Sequence, residues 1–243
     1  MSYILTSKTL DASAYAMSYS ADVPENLQYL NIFSDLASVG RNLVNVGRNT
    51  VVGSPIPHGM SGGVTFSNNT NYVDSVMSET DEFTLLAAMK IPASGEAVPS
   101  YAISNSRSDP ALVSFTLGAA NTTAARLFYG YGTTGQFLSL DIAASGLVII
   151  IARVRTAGFS PGDTIAEIRN CTAGTSAKLA AVSNMGTHVK AGAFRVGSGY
   201  SSANANPQTV LSAGLWDRYL TDDEVITQYT QLKNMYASYG VAI

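Results

Sequence analysis

The sequence predicts an all-β protein: a jelly-roll sandwich of two antiparallel sheets, closed by one short C-terminal helix. Three observations carry this. Between residues 60 and 216 the chain runs as about twelve short β-type segments separated by turn-forming residues at near-regular spacing. One of them, residues 147–155, is apolar and β-branched almost throughout, as a central strand covered on both faces must be. The clearest helix signature comes only after the last of these segments.

The elements follow in order. Residues 63–67 and 71–74 flank an Asn-rich turn, and 82–91 is strongly apolar until Pro92 stops it. Segments 101–104, 112–117 and 126–131 are separated by Ser-, Asn- and Gly-rich loops. Residues 137–142 alternate polar and apolar, and after 147–155 come 164–169, 178–182 and 193–196. Segment 210–216 leads into the helix. There Thr221 and Glu224 have capping-box spacing, Leu220 and Val225 sit at the staple positions, and Asp222 and Asp223 occupy the dipole-favoured first turn. Val225, Tyr229, Leu232 and Tyr236 then form one apolar face, with Trp216 expected to plug the core beside it.

Residues 1–35 read as an N-terminal arm for docking or oligomerisation, and 36–243 as the sandwich domain. Within the arm, 3–5 suggests an edge strand and 23–27 a turn or short helical start. Gly40, Arg41 and Asn42 repeat as Gly47, Arg48 and Asn49, which reads as two similar turns.

Only 13% of residues are charged, against about a quarter in an ordinary globular chain, while 46% are hydrophobic. So neutral a surface predicts association, and a homo-oligomer is expected. The net charge is −3 and no basic cluster occurs, so nucleic acid is not an expected partner. No apolar run approaches the roughly 18 residues that would span a bilayer, and the first residues do not read as a secretory leader. Cys171 is the sole cysteine, which excludes an intrachain disulfide and cysteine-built metal sites.

The pattern resembles the laminin-G-like branch of the concanavalin A-like lectin/glucanase superfamily. The resemblance rests on Gly63 to Ser67 with Asn71 to Asp74 and Glu82 onward, on the long strand 147–155 with the hairpin after it, and above all on Phe194 to Gly197 with 213–225. It covers about residues 40–237. It implies a concanavalin A-like jelly roll of two curved sheets, with carbohydrate met on one sheet or along one rim, sometimes beside calcium. The superfamily also includes modules without a known ligand, so fold does not settle function.

Retaining hydrolysis needs two carboxylates about 5 Å apart on a rigid element. The nearest candidates, Glu79 and Glu82, precede the strand with the wrong spacing and read as solvated turn charges. His58 and His188 read as polar surface residues with no metal partner in sequence. No cofactor is expected; for calcium the rim offers Asn68, Asn71 and Asp74, or Asn105 with Asp109.

Sugar faces stack on flat rings while their hydroxyls bond to polar side chains. The candidate carbohydrate-binding residues are therefore Arg107, Asp109, Tyr129, Tyr131 and Tyr200. Tyr129 and Tyr131 share a strand face by the period of two; core packing or a subunit contact is the alternative for each tyrosine. The expected function is a non-enzymatic bacteriophage virion protein, a fibre, tail or head-decoration component binding host-surface carbohydrate beside other virion proteins. Its localisation would be the virion or otherwise extracellular, and a trimer is expected by analogy. A purely structural virion subunit is the first alternative and a glycoside hydrolase or lyase the second.

Overall fold

The computed structural model describes residues 21–44, 47–59, 61–67, 69–107, 114–131, 134–142, 146–183, 185, 188–200 and 206–243, with the backbone alone at 131 and 134. In chain order the elements are β1 (Leu27–Ile32), α1 (Leu36–Val39), β2 (Arg41–Asn42), β3 (Gly47–Arg48), β4 (Val51–Val52), β5 (Ile56–Pro57), β6 (Val64–Phe66) and β7 (Tyr72–Ser78). Then follow β8 (Glu82–Lys90), β9 (Ser100–Ser104), β10 (Phe115–Asn121), β11 (Ala124–Tyr131), β12 (Thr134–Asp141) and β13 (Leu147–Arg155). Last come β14 (Thr164–Asn170), β15 (Thr175–Ala180), β16 (Ala193–Val196), β17 (Gln208–Trp216) and α2 (Asp222–Ser238).

Two antiparallel sheets form the sandwich. The eight-stranded sheet runs β15-β14-β13-β8-β17-β6-β5, with β1 also on β17; the seven-stranded sheet runs β12-β11-β10-β9-β16-β7-β4. Strand alternation shows what each face meets. On β8, Phe83, Leu85, Ala87 and Met89 enter the core between the sheets, while Leu86 and Ala88 turn to a second apolar cluster beneath α2. On β13, Val148, Ile150, Ala152 and Val154 face the inter-sheet core and Ile149 and Ile151 face α2. This double coverage is why residues 147–152 carry no polar alternation.

The helix forms as its local signals dictate. Thr221 N–H donates to the Glu224 carboxylate at 2.8 Å, and Glu224 N–H donates to the Thr221 hydroxyl at 3.3 Å. Leu220, Val225, Leu232 and Tyr236 are buried, together with Gln228. Trp216 is fully buried, and its indole N–H donates to the Val23 carbonyl at 2.8 Å.

Arg218 grips Glu224 with both guanidinium arms, at 2.8 and 2.6 Å. This hydrogen bonding holds the Glu224 pKa at about 2 instead of 4.5. A depressed folded-state pKa means the stabilisation is complete above about pH 4.5 and disappears as pH falls towards 2. Because the pair is partly exposed, its loss should amount to only about 1 kcal/mol. Urea midpoints measured between pH 5 and 2 should fall less steeply in Arg218→Gln than in the parent; parallel curves would contradict this.

Three expectations need correction. Residues 27–32 are not part of an arm: β1 pairs with β17, Tyr29 against Leu215 and Ile32 against Ser212, so the boundary at 35 falls too late. Leu27 and Leu30 pack in the cluster beneath α2. The two Gly-Arg-Asn segments are not separate turns, since Arg41–Asn42 and Gly47–Arg48 pair as an antiparallel ribbon. The segment expected at 178–182 is β15, beginning at Thr175. The 3–5 strand and the rest of the arm before residue 21 lie outside the described residues, as do 112 and 113 of the 112–117 segment.

Candidate functional site

The two sheets differ in what covers their outer faces. α2 covers the eight-stranded sheet, whereas no apolar cluster lies over the seven-stranded sheet among the described residues. Its inner face carries Val73, Phe115, Leu117, Leu127, Tyr129, Phe194 and Val196. The residues between them must point outward. Strand register aligns Phe137, Phe128, Thr116, Ser104, Arg195 and Asp74 in one row across six strands.

At one end of the row are two aromatic rings. Phe128 and Phe137 have centroids 5.0 Å apart, with the Arg126 guanidinium 4.7 Å above the Phe137 ring. Phe137 is 59% exposed, a large cost for a phenyl ring without a partner. Gly135 makes the pair feasible, because a Cβ there would lie 2.3 Å from the Phe128 ring. In the middle, the Ser104 and Thr116 hydroxyls bond to each other at 2.7 Å.

At the other end, Arg195 is sandwiched between Tyr72 and Tyr200, its guanidinium carbon 3.8 and 3.5 Å from their centroids. Arg107 stacks on Tyr200 as well, at 4.3 Å. The Tyr200 loop is tied down by its own N–H to the Ser106 carbonyl, 2.7 Å. Arg195 Nη1 donates to the Gly199 carbonyl at 3.3 Å, while Nε, shut from solvent, has no acceptor. The row thus ends in two arginine–aromatic clusters suited to stacking and polar contact with a flat, hydroxyl-rich ligand, while the Ser104–Thr116 hydroxyl pair between them is buried.

Next to Arg195, β7 bulges, and Val76 adopts φ of +56° with its side chain 70% exposed. Its N–H is held by the Asp74 carboxylate at 3.1 Å. A β-branched residue rarely adopts this backbone conformation, which costs an L-residue roughly 1–2 kcal/mol. Val76→Gly should therefore raise stability by about 0.5–1 kcal/mol after the extra chain entropy of glycine is counted. A urea midpoint that stays level or falls would contradict this.

The structure brings two of the five expected site residues together, Arg107 and Tyr200. Tyr129 is corrected: it is fully buried, edge-on to Phe115 at 5.2 Å, and its hydroxyl donates to the Arg155 carbonyl at 3.0 Å. Tyr131 lies on the same strand, but its side chain is outside the described set, as is Asp109 entirely. Sequence reading missed Tyr72, Arg126, Phe128, Phe137 and Arg195. The available signal was the alternation of β11, which puts Arg126 and Phe128 opposite Leu127 and Tyr129.

Glu79 is not a solvated turn charge, nor is His188 a surface residue. The Glu79 side chain is 0% exposed and bonds to His188 Nε2, to Asn105 Nδ2 at 2.9 Å and to Ala191 N–H at 3.1 Å. His188 also lies 5.6 Å from the Phe115 ring. Glu82 opens β8, half-exposed, and binds Arg155 at 3.0 Å.

The described calcium candidates do not make a cage. Asn105 is buried, its Oδ1 accepting from Phe115 N–H at 2.7 Å, while Asn71 Oδ1 accepts from Ser54 N–H at 2.9 Å. Asn68 and Asp109 lie outside the described residues. Burial pushes the Cys171 thiol up to about 12, which disfavours a nucleophilic role. On the other sheet, His58, Thr65, Lys90 and Thr209 line a cleft of about 450 Å³. There His58, exposed as expected, bonds to Thr65 at 2.8 Å.

No protein-family model matches the chain, and no curated protein matches it. Solved structures do. A receptor-binding domain of botulinum neurotoxin C/D mosaic serotype aligns with a TM-score of 0.57 at 9% identity, over 86% of this chain and 52% of that one. A botulinum neurotoxin type C structure, whose cell entry is described as dependent on two ganglioside molecules, gives 0.61 at 8% identity, over 87% and 53%. Trypanosoma rangeli sialidase gives 0.55 at 14% identity, over 85% and 33%. The chain therefore spans about half or less of these proteins' lengths. At such identity the likeness establishes the β-sandwich alone, shared by receptor-binding domains and an enzyme.

Proposed function

We propose that this chain is a non-enzymatic carbohydrate-binding module that uses the open face of the seven-stranded sheet. The single observation that carries the reading is the solvent-exposed Phe137, paired with Phe128 under Arg126 and aligned with the Arg195 stack. Exposed rings on a rigid sheet lose little entropy on meeting a sugar face. The ganglioside interaction described for one similar structure and the receptor-binding role of another are consistent with such use of the sandwich.

The finer assignment is a bacteriophage virion component, a fibre, tail or head decoration, that binds host-surface glycan as a homo-oligomer. Its support is compositional: few charges, a single cysteine and a surface rich in small polar residues. Light scattering on the eluted protein tests the oligomer, and a 25.5 kDa species would remove that part.

Binding to arrayed bacterial surface polysaccharides tests the main reading. Phe137→Ala should weaken binding about tenfold, the loss of one ring stack. Absence of binding at high protein concentration, or equal binding by the variant, would favour a purely structural subunit. Release of reducing ends from a bound polysaccharide would show an enzyme instead.

A further inference from the structure

We infer, on the basis of that carbohydrate reading, that the open face selects saccharides bearing an anionic group, with Arg195 and Arg126 as the residues that read it. The observation is how arginine charge is distributed. On the covered side, Arg153 meets Glu167 and Asp222, Arg155 meets Glu82, Arg169 lies 3.8 Å from Asp222, and Arg218 meets Glu224. On the open face, Arg107, Arg126 and Arg195 have no carboxylate within ion-pair distance among the described residues. They rest on aromatic rings instead.

A chain with 17 acidic and 14 basic side chains has carboxylates enough to neutralise these three, yet among the described residues none forms an ion pair with them; Asp74, opposite Arg195 in register, accepts from the Val76 N–H instead. Stacking occupies the flat faces of a guanidinium and leaves its N–H rim for acceptors. At Arg195 that rim is lightly used: Nη1 makes one long bond to the Gly199 carbonyl, while Nε, enclosed and without an acceptor, is out of a ligand's reach. The outward carboxylates of the same sheet are Asp74, which accepts from Val76 N–H, and Asp141 at the far end of β12. Neither carboxylate forms an ion pair with Arg107, Arg126 or Arg195 among the described residues, so the guanidinium charge on this face stands unpaired although the chain as a whole is acidic. A sugar hydroxyl meets such a rim only as a neutral acceptor. A carboxylate, sulfate or phosphate group meets it with hydrogen bonds about twice as strong. The aromatic rings hold the sugar body and the guanidinium groups read its charge.

The test uses matched polymers: polygalacturonate, hyaluronan and polysialic acid, each beside its carboxyl-reduced form, and dextran sulfate beside dextran. The intact protein should bind at least one charged member ten or more times tighter than its neutral match. That preference should shrink to under threefold in Arg195→Gln and in Arg126→Gln, while Phe137→Ala weakens both members of the pair alike. A preference confined to dextran sulfate would identify sulfate or phosphate, not carboxylate, as the anion. Arg126 lies at the exposed end of the row, so Arg126→Gln keeps the test decisive if the more enclosed Arg195→Gln melts early. Equal binding of charged and neutral members overturns the inference and leaves carbohydrate binding standing. Binding to none of the polymers overturns both.

Discussion

Arg153→Ala is expected to destabilise the sandwich by about 3–5 kcal/mol, on the order of a 10 °C fall in melting temperature for a chain of this size. Arg153 is buried on β13, and it ties three elements together. Its Nη2 meets Glu167 on β14 and Asp222 in the first turn of α2, at 2.5 Å for the latter, while Nη1 donates to the Leu220 carbonyl at 2.8 Å. Tyr219 stacks over the guanidinium at 4.9 Å. Removing the arginine leaves Glu167, itself buried, as an uncompensated carboxylate beneath the helix. Arg153→Met with Glu167→Leu should recover most of the loss, because apolar replacement of both partners removes the stranded charge. The same arginine hydrogen bond holds Asp222 below the ordinary carboxylate range. That contribution is present above the unfolded pKa and disappears as pH falls through the folded one, so Arg153→Ala should also flatten the acid limb of the stability curve. Wild-type melting by Arg153→Ala would show that α2 is held by apolar contacts alone.

Glu79→Ala should cost about 3 kcal/mol and should also weaken glycan binding, although Glu79 lies off the proposed face. The carboxylate accepts from His188, Asn105 and Ala191, so its loss deprives three buried donors at once. Two of those donors position the site. Ala191 precedes Gly192 and β16, which carries Arg195, and Asn105 opens the loop to Arg107, whose Nη2 would lie 3.0 Å from a Cβ at Gly192. Glu79→Gln retains an acceptor of the same shape and should lose roughly 1 kcal/mol, with binding largely kept. Chemical denaturation and polysaccharide titration of both variants check this. If Glu79→Ala unfolds and binds like the parent, the buried pair does not organise the loops.

Local patterns were legible wherever the determining contacts lie close in the chain. The capping box at Thr221 and Glu224 is a three-residue relation, and α2 begins where it says. The doubly covered strand Leu147–Arg155 announced itself by the apolar run over residues 147–152. β1 was obscured because Pro24 and Asn26 read as a turn, and the strand finds its partner only in β17, Leu27 lying opposite Trp216. Glu79 looked solvated among Thr80, Asp81 and Glu82, since nothing nearby in sequence reveals a histidine 109 positions on.

The sandwich class, its strand rhythm and its closing helix were therefore determined by sequence alone, because backbone periodicity and capping act over a few residues. Which face of each strand meets the core was decided only by tertiary structure. A period of two sorts Tyr129 from Phe128 but is symmetric between inside and outside. It took packing against Phe115 and a hydrogen bond from its hydroxyl to the Arg155 carbonyl to send Tyr129 inward, leaving Phe128, Arg126 and Phe137 to form the open face.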